Sequence, residues 1–167
     1  MSVQVITIAA IVENRPGVLY RISNMFRRRG FNIDGITVGP TTKRDLARMT
    51  ITTTGDERVI EQVVKQLSKL ADVIRVKVLM PENTVAREMA LVKIHISSAA
   101  VRSDVIHYVN IFRGRIIDVS LGAITVEVTG DPKKIDAFID LMKTFGVKEV
   151  ARTGITALSR GEKSFMG

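Results

Sequence analysis

The residues best suited to chemistry in this 167-residue chain lie between positions 13 and 33. Glu13-Asn14-Arg15-Pro16-Gly17-Val18-Leu19 follows an apolar run from Val3 to Val12, and Arg29-Gly30-Phe31-Asn32-Ile33 comes one short helix later. The first segment predicts a strand that breaks into a Pro-Gly turn and opens a helix. Such a turn aims free backbone N–H groups, and the positive end of the helix dipole, at one spot. That spot suits a carboxylate. Pro16 has no N–H, so the donors must come from Gly17 onward. Gly17 permits a close backbone approach or a positive φ. No general base, nucleophile or metal set stands nearby. The chemistry on offer is capture of a small zwitterion, with Asn14 and Asn32 as neutral partners. An amide oxygen accepts from an ammonium and its NH₂ donates to a carboxylate, at less cost of burial than a charge. Asn14 could equally close an Asx-turn in its own loop.

Other chemistries find little support. The two histidines, His95 and His107, are 12 residues apart, and there is no cysteine to complete a zinc set or a disulfide framework. The net charge of +8 invites a nucleic-acid reading. It is uneven: residues 1–80 hold 13 basic and 7 acidic residues. Arg27-Arg28-Arg29 falls where a helix should end, and cations are favoured there by the dipole. An RNA-recognition module needs aromatic side chains on its central strands. Ala47-Arg48-Met49-Thr50-Ile51-Thr52 has none, and the chain has only six Phe and two Tyr. No nucleic-acid partner is therefore expected. No basic stretch precedes an apolar segment at the N-terminus, so no signal peptide is expected. No apolar run approaches the roughly 20 residues of a membrane span, and a cytoplasmic location is the default expectation.

Two matched strings organise the rest. Arg29-Gly30-Phe31-Asn32-Ile33-Asp34 is echoed by Arg113-Gly114-Arg115-Ile116-Ile117-Asp118, and Thr54-Gly55-Asp56 by Thr129-Gly130-Asp131. Occurring in the same order, they indicate two copies of one unit. In the first copy, Val3 to Val12 is strand-like and Gly17 to Arg29 helical, with Val18, Leu19, Ile22, Met25 and Phe26 on one face. Phe31 to Val38 reads as a second strand, Gly39 to Asp45 as a hairpin loop, and Ala47 to Thr54 as a third strand. Asp56 caps a second helix, and Val73 to Leu79 closes the unit. Met80-Pro81-Glu82-Asn83 marks the boundary, giving domains 1–80 and 81–167. The second copy has strands Met89 to Ser97, Arg115 to Ser120, Ala123 to Val128 and Val147 to Arg152, with helices Asp104 to Phe112 and from Asp131-Pro132. The tail from Ser159 to Gly167 is polar and expected to fray.

Right-handed crossovers make each copy a βαββαβ unit, an α+β fold of the ferredoxin-like plan: a four-stranded antiparallel sheet with both helices on one face. The second strand then lies at an edge. Phe31 to Val38 has no Lys, no Pro and one charge, and so poorly guarded an edge recruits another strand. A homodimer through it is expected.

The first unit resembles an ACT domain, a small amino-acid-sensing module, and the chain from about residue 4 to 163 resembles the small regulatory subunit of acetohydroxyacid synthase (acetolactate synthase). The resemblance rests on Glu13-Asn14 with Gly17 and Leu19, Arg29-Gly30-Phe31-Asn32-Ile33, Arg48-Met49-Thr50-Ile51 and Leu91-Val92-Lys93-Ile94. It continues in Phe112-Arg113-Gly114 with Ile116-Ile117-Asp118-Val119, Asp136-Ala137-Phe138, Val150-Ala151-Arg152-Thr153-Gly154 and Leu158-Ser159-Arg160-Gly161.

This resemblance implies a non-catalytic subunit that activates a large subunit and confers allosteric feedback inhibition, usually by valine, at the entry to branched-chain amino-acid biosynthesis. It implies no cofactor in this chain. Thiamine diphosphate, a divalent metal (Mg) and FAD belong to the catalytic partner. The effector positions carry over as Asn14, Gly17 with the Val18 and Leu19 amides, and Asn32 with Ile33, the turn of one chain facing Asn32 of its dimer mate. The second unit lacks this equipment. Ile116 corresponds to Asn32, and Ser97-Ser98-Ala99-Ala100-Val101-Arg102-Ser103 has neither Asn nor Gly. An amino-acid sensor acting on a different partner is the alternative.

Overall fold

The structure, a computed structural model, describes residues 4–162 and 165. The expected strand start at Val3, and Lys163, Ser164, Met166 and Gly167 of the expected frayed tail, lie outside the described residues. Contacts divide the chain into two units. One comprises residues up to Val85 together with those from Ile155 onward, and the other is Ala86–Gly154.

The first unit runs β1 (Gln4–Glu13), α1 (Val18–Arg29), β2 (Gly35–Pro40), β3 (Leu46–Gly55), α2 (Glu57–Leu67) and β4 (Val73–Leu79). Its antiparallel sheet has the order β2-β3-β1-β4. Alternation sorts each strand into two faces. Ile6, Ile8, Ala10 and Val12 of β1 join Ala47, Met49 and Ile51 of β3 beneath Val18, Ile22, Met25 and Phe26 of α1 and Val63 and Leu67 of α2. A single turn of 3-10 helix, Pro81–Asn83, follows.

The second unit repeats the plan with β5 (Thr84–His95), α3 (Ala99–Ile111), β6 (Arg115–Val119), β7 (Ala123–Gly130), α4 (Pro132–Lys143) and β8 (Val147–Arg152), in the order β6-β7-β5-β8. Val92, Ile94, Val126 and Phe138 anchor its core. The Thr-Gly-Asp repeat has a common cause in both units. Asp56 accepts from the Val59 N–H at 3.0 Å and Asp131 from the Lys134 N–H at 3.0 Å, each capping the helix that follows. A Cβ on Gly55 would come within 2.6 Å of Val59, and one on Gly130 within 2.5 Å of Lys134, so the first helical turn packs directly on the strand end.

Four expectations are corrected. The second strand begins at Gly35, not Phe31. Gly30, in the left-handed region (φ 70°), ends α1 by a Schellman closure in which the Phe31 N–H bonds the Phe26 carbonyl at 3.0 Å. Side chains then hold the next residues: the Thr53 hydroxyl donates to the Asn32 carbonyl at 2.6 Å, and the Thr54 hydroxyl to Asp34 at 2.6 Å. Gly39 and Pro40 belong to β2, so the hairpin loop is only Thr41 to Asp45. In the second unit, β5 starts at Thr84 rather than Met89, and α3 starts at Ala99 rather than Asp104 because Ser98 caps it, accepting from the Val101 N–H at 3.2 Å.

The fourth correction concerns the tail. Thr156–Ser159 forms a short strand, β9. The segment crosses the face of the first sheet opposite its helices. Thr37 of β2 donates to the Ile155 carbonyl at 2.8 Å, Arg48 of β3 to the Ala157 carbonyl at 2.8 Å, and Lys77 of β4 to the Ser159 hydroxyl at 3.1 Å. Arg75 reaches the Phe165 carbonyl at 2.9 Å, and the Arg48 guanidinium lies 5.2 Å from the Phe165 ring centre. Ala157 and Phe165 are buried.

Candidate functional site

The turn after β1 is built by its glycine. Gly17 is the N-cap of α1 with φ 88° and ψ −14°, a left-handed conformation that a side chain disfavours. A capping residue normally sits in the extended region and shields one N–H with its side chain. Here no side chain caps α1, and its first turn holds no acidic residue. The Gly17 carbonyl accepts from the Arg21 N–H at 3.0 Å. Among the described residues no acceptor meets the N–H groups of Val18, Leu19 and Tyr20. These are the donors of an anion site. Val18 is buried in the core, whereas Leu19 and Tyr20 are exposed.

Asn14 closes no Asx-turn. Its backbone N–H bonds the Asp45 carbonyl at 2.7 Å and its side-chain NH₂ bonds the Arg44 carbonyl at 3.1 Å, tying the turn to the β2–β3 loop. The amide oxygen takes no hydrogen bond among the described residues. Asn32 behaves alike: it is exposed, its NH₂ donates to Asp34 at 2.6 Å, and its amide oxygen stays open. Both amides are thus oriented by donating inward, leaving an acceptor for an ammonium. Ile33 packs half-buried against the first core.

The groove that includes Asn14 does not gather the other candidate residues. The groove at the turn, about 350 Å³, is lined by Glu13, Asn14, Arg15, Asp45, Leu46 and Ile74, and includes neither Gly17 nor Asn32.

What holds the turn has no local signature in the chain. Asp72, just before β4, is only 2% exposed. Its carboxylate takes Arg15 Nε at 3.1 Å and also Arg15 Nη2, and its other oxygen takes Arg21 Nη1 at 2.6 Å. Its carbonyl accepts the Glu13 N–H at 2.9 Å. Hydrogen bonding from Arg15, with the charges of both guanidiniums, holds the Asp72 carboxyl below the usual carboxylate range against the opposing effect of burial. The same bond, with Glu13 nearby, raises Arg15. Asp72 stands 57 residues from Arg15 and 51 from Arg21, beyond any local pattern.

The second unit has no equivalent opening. Ser98 occupies the start of α3 with a side-chain cap, in an extended conformation. Among the described residues no cluster of three His, Cys, Asp or Glu could hold a metal ion. Among the described residues no helix is long and apolar enough to cross a membrane.

With this geometry in place, comparison with known proteins is specific. Residues 8–75 match the family model of the AHAS small subunit-like ACT domain, and residues 87–161 match that of the small subunit of acetolactate synthase. The chain is 58% identical over 157 residues to the "Probable acetolactate synthase small subunit" of Methanothermobacter thermautotrophicus, covering 94% of each. It is 41% identical to the acetolactate synthase small subunit of Mycolicibacterium smegmatis over 94% of this chain and 92% of that one. The crystal structure of the acetolactate synthase small subunit from Thermotoga maritima superposes with a TM-score of 0.88 at 42% identity, over 96% of this chain and 99% of the other.

Proposed function

The chain belongs to the acetolactate synthase small-subunit family, whose members are regulatory rather than catalytic, and we propose that it activates the catalytic subunit and confers feedback inhibition by valine. The observation that carries the effector reading is the uncapped start of α1. At left-handed Gly17 the Val18, Leu19 and Tyr20 N–H groups have no acceptor among the described residues, and no acidic neighbour stands in the first turn. A carboxylate bound there meets donors and the helix dipole together. The open amide oxygens of Asn14 and Asn32 suit the ammonium. An aliphatic pocket would tell valine from polar amino acids and would separate it from isoleucine poorly, one methylene being worth about 1–3 kcal/mol.

In this reading the site is completed by dimerisation. The edge strand β2 pairs with its copy in a second chain, and the Gly17 turn of one chain meets Asn32 and Ile33 of the other. That the groove of a single chain omits Gly17 and Asn32 supports a shared site. Domain 1–80 is the effector-binding domain. The remainder is structural or couples the effector to the catalytic subunit, which carries thiamine diphosphate, Mg and FAD in the cytoplasm. Calorimetric titration of the purified chain with valine, leucine, isoleucine and threonine tests the reading. Saturable binding of a branched-chain amino acid is expected, and no heat with any of the four would refute it.

A further inference from the structure

Gly17 is held by little of its own. It has no side chain, and no atom lies within 4 Å of where its Cβ would be. What fixes the turn comes from elsewhere, at positions on both sides of the glycine. Before it, the Glu13 N–H and the Arg15 guanidinium bond to the carbonyl and carboxylate of Asp72. After it, Arg21, whose N–H is held by the Gly17 carbonyl, bonds the other carboxylate oxygen at 2.6 Å. One buried residue therefore grips the chain at 13, 15 and 21.

We infer that Asp72 is a positioning residue of the effector site, setting the geometry in which the N–H groups of Val18 to Tyr20 converge. The inference rests on the effector reading above. The four side chains involved, Glu13, Arg15, Arg21 and Asp72, sum to no net charge, and Arg15 also bonds Glu13 at 2.7 Å. Their contribution is therefore shape rather than field, and the attraction for a carboxylate stays with the helix dipole and the open donors. Asp72 also immediately precedes β4, Val73–Leu79. A carboxylate that enters the turn is mechanically joined, through this one side chain, to the start of that strand.

The test compares Asp72→Asn with Asp56→Ala in the full-length chain. Asp72→Asn keeps the volume and loses the charge, while Arg15 and Arg21, both about half exposed, remain solvated. Asp56→Ala removes the α2 cap, which destabilises the same unit without touching the turn. Valine affinity is measured by calorimetry, and exchange of the Gly17–Tyr20 amides is followed by hydrogen exchange without ligand. Asp72→Asn should weaken valine on the order of tenfold and speed exchange at these amides, while Asp56→Ala leaves both within twofold of the parent. Parent-like affinity and exchange in Asp72→Asn would overturn the inference, as would equal losses in both variants. Absence of valine binding by the parent protein refutes the effector reading, and the exchange rates still decide whether Asp72 sets the turn.

Discussion

Substitution of Gly17 by Asp places a carboxylate at the proposed anion site, and its two consequences can be estimated separately. For folding, the left-handed backbone costs a residue with a Cβ about 1–2 kcal/mol, less for Asp, which tolerates that region. No steric clash adds to this, since the space around the new Cβ is empty. A negative charge at the start of α1, which has no acid in its first turn, returns about 0.3–1 kcal/mol. The net change in stability should be about 1 kcal/mol or less. For binding, two unit charges about 4 Å apart repel by about 1 kcal/mol in water and about 4 kcal/mol at an effective dielectric near 20. Valine affinity should fall between about fivefold and about a thousandfold, at about 1.4 kcal/mol per tenfold. Gly17→Ala, with strain but no charge, should lose far less. Calorimetry at 25 °C beside thermal unfolding measures both quantities. Affinity within twofold of the parent in Gly17→Asp, with melting intact, would refute the turn as the carboxylate site.

If the site is shared, a mixed dimer of Gly17→Asp and Asn32→Ala chains, prepared by co-expression with two tags, should recover one near-normal valine site. No tight site in a confirmed mixed dimer would show that each site lies within one chain. Because the folded-state pKa of Asp72 is depressed, its stabilisation is full above the unfolded value of about 4 and is lost as pH falls through the folded one. Unfolding midpoints measured from pH 7 to pH 2.5 should therefore drop more steeply below pH 4 in the parent than in Asp72→Asn; parallel curves would contradict the shift. Phe165→Ala should cost about 3 kcal/mol in urea unfolding, the scale of losing a buried aromatic ring. A change under about 0.5 kcal/mol would mean the tail does not hold the first sheet.

Much of this fold could be read from residues alone. Val73–Leu79, a run rich in Val and Ile, and Val147–Arg152, bounded by Gly146 and by Thr153-Gly154, are strands with the expected bounds. Asp56 and Asp131 cap helices as their positions implied. Two of the failures share a cause: contacts distant in sequence overrode local pattern. Phe31 to Asp34 has strand-like composition, yet hydroxyls of Thr53 and Thr54 tie it down as a connection. Apolar residues fall on several sides of α3, so periodicity did not mark its start and only the Ser98 cap does. The tail reads as polar and loose. Its burial depends on Arg48, 109 residues from Ala157, and on Arg75, 90 residues from Phe165. At the candidate site, Gly17 and both asparagines were legible as types suited to a zwitterion. Their orientation was not, since it comes from the carbonyl of Arg44 and the carboxylates of Asp34 and Asp72.

Reconstitution with the catalytic subunit decides whether this chain is an activating, valine-sensitive subunit. Acetolactate formation from pyruvate is followed while the purified chain is titrated into a fixed amount of catalytic subunit, with and without valine. A saturable rise in rate that valine reverses in part is expected, and a Gly17→Asp chain should still activate but no longer respond to valine. A rate indifferent to the added chain, or a rise that valine leaves untouched, would contradict it.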